Sequence, residues 1–422
     1  MNSRQRVERA LNHQEADRLP LDLGGSNVTS MNASVVYRLR QALGLDAPGT
    51  PVKVIEPYQM LGEIGADLLD ALGADVVPLR ARKTIFGYMN EGWKQWMTFD
   101  GTPVLVPECF NIDPEPNGDL LMYPEGDKSA LPSGRMPKDG FYFDAIIRQY
   151  PVDDSKLNVA DNVEEFTPVT DEELAYYRSE AQLLYKTGRA LFGDFGGISF
   201  GDVAMVPAPW LKEHPKGIRD VAEWYMSTAT RQDYVYKVFE RQCEIGLANL
   251  ARIYEAVGNR LSIIFTTGAD FGMQGGTLIS PRTYRKLYQP FHKQINDWVH
   301  ANTTWKTFIH SCGSVINLVE DFIASGFDIL NPVQTSAANM DPRELKRRFG
   351  DRIAFWGGGV DTQQVLPYGA PDQVRQQVRE RIEILGAGGG YVFNTVHNVQ
   401  PNTPIENVLA MYETVREYGR YR

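Results

Sequence analysis

Cysteine is scarce in this chain of 422 residues, and that scarcity excludes a disulfide-built fold. The three cysteines, Cys109, Cys243 and Cys312, are odd in number and far apart, which indicates a reducing, cytoplasmic location. No run of about 18 apolar residues occurs, so the sequence argues against a membrane span. The N-terminus is polar, and we expect a helix capped by Ser3 there rather than a signal peptide.

The chain also lacks an excess of basic residues. It has 43 Lys and Arg against 53 Asp and Glu, and the formal net charge is −10. Without a basic stripe to offset this acidity, nucleic acid is excluded as an expected partner. The hydrophobic content of 43% is ample for a core, and the length suits two ordinary domains or one large barrel.

A glycine-rich phosphate loop is missing as well, because LDLGGSNVTS after the first candidate strand lacks the G-x-G-x-x-G spacing. This disfavours a doubly wound open sheet. Eight apolar segments instead alternate with amphipathic helices, which predicts an α/β fold: one (β/α)8 TIM-type barrel spanning residues 1–422. The predicted strands are residues 18–23, 74–80, 190–196, 261–267, 306–310, 327–333, 352–358 and 390–396.

Helix signals follow the later strands. Ser280 and Asp341, each followed by proline, are expected N-caps, and Thr403 is expected to form a capping box with Glu406. Apolar stripes at helical spacing predict helices over residues 315–324 and around residues 374–385.

About a hundred residues separate the second and third predicted strands. Alternating hydrophobic residues around Asp100-Gly101 predict a β-hairpin over residues 92–110. The Pro-, Gly- and Asp-rich stretch at residues 113–140 is expected to be extended loop. We treat residues 84–168 as an inserted hairpin-and-loop region and a candidate lid.

Polar residues gather at the carboxyl ends of the predicted strands, which is where barrel enzymes carry their chemistry. His310 and Cys312 stand two apart, so in a strand their side chains point the same way and form a half-site for a soft metal ion. A core-packing role for both residues is the alternative. The candidate site residues are Asp22, Asp194, Asp270, Gln274, His310, Cys312, Gln334, His397 and Asn398.

Four stretches together resemble the uroporphyrinogen decarboxylase superfamily. They are SRQRVERALNHQEADRLPLDLGG, HSCGSV, NPVQTSAANMDPRELKRRFG and GGGYVFNTVHNVQPNTPIENV. The resemblance implies a (β/α)8 barrel. It also implies one of two activities: cofactor-free porphyrinogen decarboxylation, or zinc-dependent methyl transfer to or from corrinoid proteins.

The resemblance to the methyltransferase branch is the closer one. The segment LPLDLGGSNVTS has no Arg or Lys to hold a polycarboxylate, and the H-x-C pair is present as His310 and Cys312. His397 stands where the methyltransferases carry a second cysteine. The resemblance therefore implies zinc on His310, Cys312 and His397, with one formal positive charge retained, which favours a methoxy or N-methyl substrate over a thiol.

In this reading Asp270 and Asp22 are catalytic, Asp270 also being a candidate fourth ligand, and the corrinoid arrives on a separate protein. Gln334, Gln274, Asp194 and Asn398 are expected to bind the small-molecule substrate. The alternative is a metal-free decarboxylase or lyase in which Asp22 or Asp270 binds substrate and His310 or His397 is the general acid. A non-catalytic sensor barrel and a homodimer stay open.

Overall fold

The computed structural model describes residues 1–163, 167–195 and 200–421, and its centre is a curled, seven-stranded parallel sheet. The seven strands of this sheet lie side by side in their order along the chain, and neighbouring strands pair in parallel, as in a TIM-like barrel. The predicted α/β class is confirmed. The strands are β1 (Val76–Arg80), β2 (Ala190–Asp194), β3 (Ile263–Thr267), β4 (Lys306–His310), β5 (Ile329–Asn331), β6 (Ala354–Trp356) and β7 (Tyr391–Val392).

The first predicted strand, residues 18–23, is wrong as a strand. Leu21 forms only an isolated parallel bridge with Phe393, beyond β7. On its other side, the Leu21 carbonyl accepts a hydrogen bond from the Asp75 amide at 2.7 Å, just before β1. Pro20 has no amide hydrogen, so the segment cannot continue a regular ladder. Gly196, the last residue of the third predicted strand, lies outside the described residues.

Helices connect and cover the strands. They comprise Ser3–Leu11, Ala33–Ala42, Ala66–Leu72, Asp171–Tyr185, Val221–Thr230, Gln232–Val257, Pro281–Leu287, Gln289–Asn302, Val319–Ala324, Pro342–Phe349, Val365–Tyr368, Pro371–Leu385 and Ile405–Tyr418. Among the described residues, none of these helices combines the length and apolarity that crossing a membrane requires.

Two of the four predicted caps form. The Ser280 hydroxyl accepts from the Thr283 amide at 3.0 Å, and the Asp341 carboxylate accepts from the Glu344 amide at 2.9 Å. Asn2, not Ser3, caps the first helix. The Asn2 side chain accepts a hydrogen bond from the Gln5 amide, and the Gln5 side chain accepts one from the Asn2 amide.

Two predicted helices begin later than the sequence indicated. Thr403 caps nothing, since that helix begins one residue later than expected, at Ile405 after an uncapped Pro404. The helix predicted over residues 315–324 begins only at Val319. Before it, the Leu318 amide bonds to the Val315 carbonyl and makes a turn.

The predicted hairpin is confirmed. Lys94–Met97 pairs antiparallel with Pro103–Val106 around Asp100-Gly101. This hairpin shares a four-stranded sheet with Val52–Glu56 and Leu61–Gly62, two strands that precede β1. The predicted insertion between the second and third strands is therefore not confirmed as a separate unit.

The expectation of an extended loop over residues 113–140 is wrong. Ile112–Pro114, Leu120–Met122, Gly134–Met136 and Asp144–Ala145 form a second four-stranded antiparallel sheet. Asn117-Gly118, a hairpin turn pair, connects the first two of these strands. Leu120 and Met122 are buried in a core of their own with Phe86 and Phe143. Residues 164–166 of the predicted lid lie outside the described residues.

The inside of the barrel is filled by side chains. Phe192, Phe308 and Trp356 pack edge to face, with ring centroids 4.8–5.7 Å apart. Val7 and Leu11 of the first helix belong to the same buried cluster. Because these side chains fill the inside of the curled sheet, a ligand site is expected at its mouth.

Candidate active site and metal centre

The three predicted metal ligands converge at the carboxyl ends of the strands. His310 ends β4, Cys312 follows it in the next loop, and His397 lies five residues beyond β7. One ligand atom from each residue lies within 4.8 Å of the others. The Cys312 Sγ is 3.3 Å from the His310 Nε2.

The position of Cys312 depends on a close approach between two loops. Gly313 has a φ of +82°, and a Cβ at this residue would lie 2.5 Å from the backbone of Gly272. Only glycine is accommodated there without strain. The Cys312 amide donates to the Asp270 carboxylate at 2.7 Å, and the Gly313 amide donates to the Gln334 Oε1 at 2.8 Å. Asp270 and Gln334 thus hold the loop that carries the thiol.

One hydrogen bond orients the His310 imidazole, and another holds the backbone of His397. The His310 Nδ1 lies 2.6 Å from the Asn331 Oδ1, and the Asn331 Nδ2 donates to the Trp356 carbonyl at 2.9 Å. The Thr395 hydroxyl donates to the His397 carbonyl at 2.6 Å. Each ring keeps a nitrogen within reach of the thiol sulfur.

Burial decides the protonation states at this site. It lowers the pKa of His310 and the pKa of His397 to about 4 each, so both rings are neutral near pH 7. Burial also raises the pKa of Asp270, and burial together with the Asp270 charge holds the pKa of Cys312 well above its usual value. The site therefore presents two imidazole lone pairs and one thiol.

These donors fit a zinc ion. Ordinary zinc–nitrogen and zinc–sulfur bonds place neighbouring ligand atoms of a tetrahedral site roughly 3.3–3.6 Å apart. The separation of 3.3 Å between Cys312 and His310 already falls at that distance, and the full set lies within 4.8 Å. A cation bound there would also favour the Cys312 thiolate over the thiol.

A cavity of about 700 Å³ opens at this site. His310, His397 and Asp270 form part of its wall, and Glu56 and Tyr58, next to the mixed sheet, form another part. Its acidic residues outnumber the basic ones. The acidic residues in the described wall are Glu56, Glu91, Glu180, Asp194, Asp202 and Asp270, and the basic ones are Arg80, Arg82 and Lys83.

Of the other predicted site residues, only Asp194 joins Asp270 in this wall. Asp22 is fully buried behind it: its Oδ2 accepts from the Trp356 Nε1 at 2.9 Å, and its Oδ1 from the Gly25 amide at 2.8 Å. Burial raises the pKa of Asp22 to about 6. In the structure Asp22 contacts protein groups, not the cavity.

The predicted amide residues also contact protein. The Gln334 Nε2 donates to the Gln274 Oε1 at 3.2 Å, and Gln274 donates to the Ser336 carbonyl. Asn398 accepts from the Ser30 amide at 2.7 Å and donates to the Gln59 Oε1 at 2.8 Å. None of the three predicted amides is among the described residues that line the cavity.

Arg80 and Glu56 are two of the charged wall residues that sequence reasoning missed. Arg80 ends β1 and donates to the Gly24 carbonyl at 2.8 Å, while burial lowers its pKa against the opposing charges of Asp194 and Glu56. Glu56 accepts from the Tyr58 and Gln59 amides, and burial raises the pKa of Glu56 to about 6. The strand-end rule identifies Arg80, which closes the predicted strand 74–80. Glu56 ends a strand that the sequence pattern did not indicate.

Part of this chain is similar to a known protein family. Residues 216–418 match the family described as uroporphyrinogen decarboxylase (URO-D). A uroporphyrinogen decarboxylase of Trichodesmium erythraeum is 26% identical over 295 residues, which are 67% of this chain and 74% of the relative. The enzyme of Pseudoalteromonas translucida is 26% identical over 212 residues, 46% of this chain and 57% of the relative.

The enzyme of Coxiella burnetii is 30% identical over 157 residues, 36% of this chain and 42% of the relative. The chain thus spans about half the length of the Pseudoalteromonas and Coxiella relatives. Among solved structures, a methyltransferase from Methanosarcina mazei matches 99% of both chains with a TM-score of 0.54 and 14% identity, which shows the shared fold. Residues 216–418 therefore match a URO-D family domain, and the chain is similar to uroporphyrinogen decarboxylases along part of its length.

Proposed function

We propose that this chain is a zinc-dependent methyltransferase. It moves a methyl group between a small methoxy or N-methyl compound and a corrinoid carried on a separate protein. The observation that carries the proposal is the convergence of one thiol and two neutral imidazoles at the mouth of the barrel, with their ligand atoms within 4.8 Å. The Methanosarcina methyltransferase of the same fold supports it.

The chain's own residues would hold the metal and position the substrate. His310 and His397 would supply neutral nitrogens, and Cys312 would lose its proton on becoming a ligand. The Asp270 carboxylate, which already accepts from the Cys312 amide, can take that proton or bind the metal itself. When bound, zinc would supply a Lewis acid for the heteroatom that carries the methyl group. Positioning beside that heteroatom is the protein's main contribution.

The charge of the cavity favours a neutral or cationic methyl compound over a polycarboxylate. Arg82, one of the three basic residues in the described wall, already pairs with Glu172 at 2.9 Å and Glu91 at 3.3 Å. Arg80 faces the charges of Asp194 and Glu56. A substrate with several carboxylates would meet net repulsion there.

The relatives named uroporphyrinogen decarboxylase favour a second candidate, a metal-free decarboxylase acting on a carboxylated substrate. In that reaction Asp270 would bind substrate and His310 or His397 would donate a proton. A pKa of about 4 leaves both imidazoles almost entirely unprotonated near pH 7, so they hold little proton to donate. We therefore rank this reaction second.

Metal analysis combined with two assays separates the candidates. Purified protein is tested for zinc content, for methylcobalamin formation from reduced cobalamin with methoxyarenes and N-methyl amines, and for carbon dioxide release from uroporphyrinogen. We expect about one zinc per chain and methyl transfer in the native protein and in Cys109→Ser, a matched control outside the site. Both properties should disappear in Cys312→Ser. Carbon dioxide release without zinc, unchanged in Cys312→Ser, would reject the proposal in favour of the decarboxylase.

A further inference from the structure

A buried amide lies directly behind the predicted ligand His310. Asn331 is the register partner of His310 in the neighbouring strand β5, so the two side chains leave the sheet on the same face. The His310 Nδ1 and the Asn331 Oδ1 are 2.6 Å apart. Asn331 was not identified as a site residue from the sequence.

The hydrogen bonds determine which way the amide points. The Trp356 carbonyl can only accept, so the atom of Asn331 that lies 2.9 Å from it must be the donor Nδ2. The Oδ1 then faces His310, and this oxygen can only accept. The proton of the neutral imidazole must therefore sit on Nδ1. Its Nε2 is left with a lone pair directed toward the Cys312 Sγ.

Burial makes this arrangement strict. Asn331 and Trp356 are fully buried and His310 is 4% exposed, so water cannot readily replace either hydrogen bond. A flipped amide would set its oxygen against the Trp356 carbonyl, acceptor against acceptor, with the cost of an unmade buried bond. Asp22 holds the Trp356 side chain from the other side through the indole Nε1, at 2.9 Å.

We propose that Asn331 is a positioning residue that selects the Nδ1-protonated form of His310 and so presents Nε2 to a metal ion at the Cys312–His397 site. The metal part of this inference rests on the proposed function, whereas the proton position does not. Outer hydrogen bonds of this kind are worth about 10–100-fold in metal affinity.

Two variants of similar size isolate the acceptor at His310. Asn331→Asp and Asn331→Leu both remove the donor to the Trp356 carbonyl, but only the aspartate keeps an oxygen for the His310 Nδ1. We expect Asn331→Asp to bind zinc within about threefold of the native affinity and Asn331→Leu to bind about 10–100-fold more weakly. Asn331→Ala serves in place of Asn331→Leu if the leucine variant does not fold, as judged by circular dichroism.

Zinc affinity is measured by chelator competition, and the visible spectrum of the cobalt-substituted protein reports on the metal site. Proton–nitrogen NMR spectra of histidine-labelled, metal-free protein show which ring nitrogen carries the proton. The His310→Gln variant assigns the His310 signal. Loss of the Nδ1-protonated signal in the leucine variant supports the inference, and its retention together with native affinity overturns it. A native protein that binds no zinc contradicts the proposed function. The spectra of the metal-free variants then decide the role of Asn331 by themselves.

Discussion

The two ends of the parallel sheet both bury polar groups, but they treat charge in opposite ways. At the amino end, the fully buried Asp75 accepts from the Arg6 Nη1 at 2.6 Å, from two Arg18 nitrogens at 2.7 and 2.9 Å, and from the Leu21 amide at 2.9 Å. Its charge is matched by two guanidinium groups, and each carboxylate oxygen has two donors. This cluster ties the N-terminal segment to β1.

At the carboxyl end, Cys312 and Asp270 are buried beside two imidazoles that burial keeps neutral. Among the residues that the structure describes, neither Cys312 nor Asp270 has a basic side chain as a salt-bridge partner. The burial of these groups therefore costs stability in the protein alone, and a bound cation would offset the cost. Polar groups held in this way are typical of a functional site rather than of a structural cluster.

The largest expected effect breaks the amino-end cluster. Asp75→Ala leaves Arg6 and Arg18 without their shared partner, so we expect the free energy of unfolding to fall by about 3–5 kcal/mol. Urea denaturation measures the change. Zinc content should stay native as long as the variant is folded. A decrease of less than about 1 kcal/mol in the free energy of unfolding would show that the cluster does not stabilise the fold.

Cys312→Ala should have the reverse effects of Asp75→Ala, with a large loss of zinc affinity and a small loss of stability. Removing a ligand should lower zinc affinity more than about 100-fold, because outer hydrogen bonds alone account for 10–100-fold. The metal-free protein should lose no more than about 1 kcal/mol, because the thiol lacks a cationic partner. Chelator competition and urea denaturation are the measurements, with Cys109→Ala as the control. Equal zinc affinity in both variants would contradict the assignment.

The pH dependence of stability should also differ between the two ends. The pKa of His397 is lowered from its usual 6.5 to about 4, so the unfolded chain takes up that proton first as the pH falls. His397 therefore destabilises the metal-free fold progressively between pH 6.5 and 4, by at most about 1.4 kcal/mol per pH unit. At the other end, hydrogen bonds from Arg6 hold the pKa of Asp17 at about 2, so that pair stays ionised throughout this window.

The comparison of the native protein with His397→Gln isolates this contribution, because both proteins keep the other buried groups that titrate in this window. These are Asp22 and Glu56, whose raised pKa values act in the opposite direction, and His310, whose lowered pKa acts in the same direction. With chelator present, His397→Gln should gain stability relative to the native protein as the pH falls from 6.5 to 4. Urea denaturation at several pH values measures the difference. Parallel stability curves would show that His397 is not held neutral by burial.

The smallest expected effect is at the surface. Lys293 and Asp297 pair at 2.8 Å on an exposed helix face, and both side chains are more than half exposed. Lys293→Ala should change the free energy of unfolding by no more than about 0.5 kcal/mol. A larger loss would mean that the effect expected for Asp75→Ala is not specific to a buried cluster.

Short-range patterns predicted much of the fold. Seven of eight strands, the caps at Ser280 and Asp341, and the hairpin around Asp100-Gly101 each depend on a few neighbouring residues. Two of the errors concern strands. Pro20 prevents a regular ladder in the first segment, and this residue is itself a local signal against the predicted strand. The stretch 113–140 pairs because Leu120 and Met122 are buried in a core with Phe86 and Phe143, an effect of longer range.

The candidate site shows the same division. His310 and Cys312 share a strand end, so their spacing alone predicts that they meet. Their proximity to His397 was predicted from the barrel, because a barrel brings the end of its last strand close to the ends of the others. The wall residue Glu56 and the amide of Asn331 had no local signal, because their contacts come from other parts of the chain.

The sequence by itself determined the α/β class, the strand that ends at His310 just before Cys312, and the candidate donor set with His397. Those features depend on periodicity and residue chemistry over short distances. Only the tertiary structure decided that Asp22 faces Trp356 instead of the cavity and that Asn331 orients His310. It also decided that acidic residues outnumber basic ones in the cavity wall. These outcomes depend on which side chains far apart in the chain are buried together, because burial sets both the hydrogen-bond partners and the protonation states.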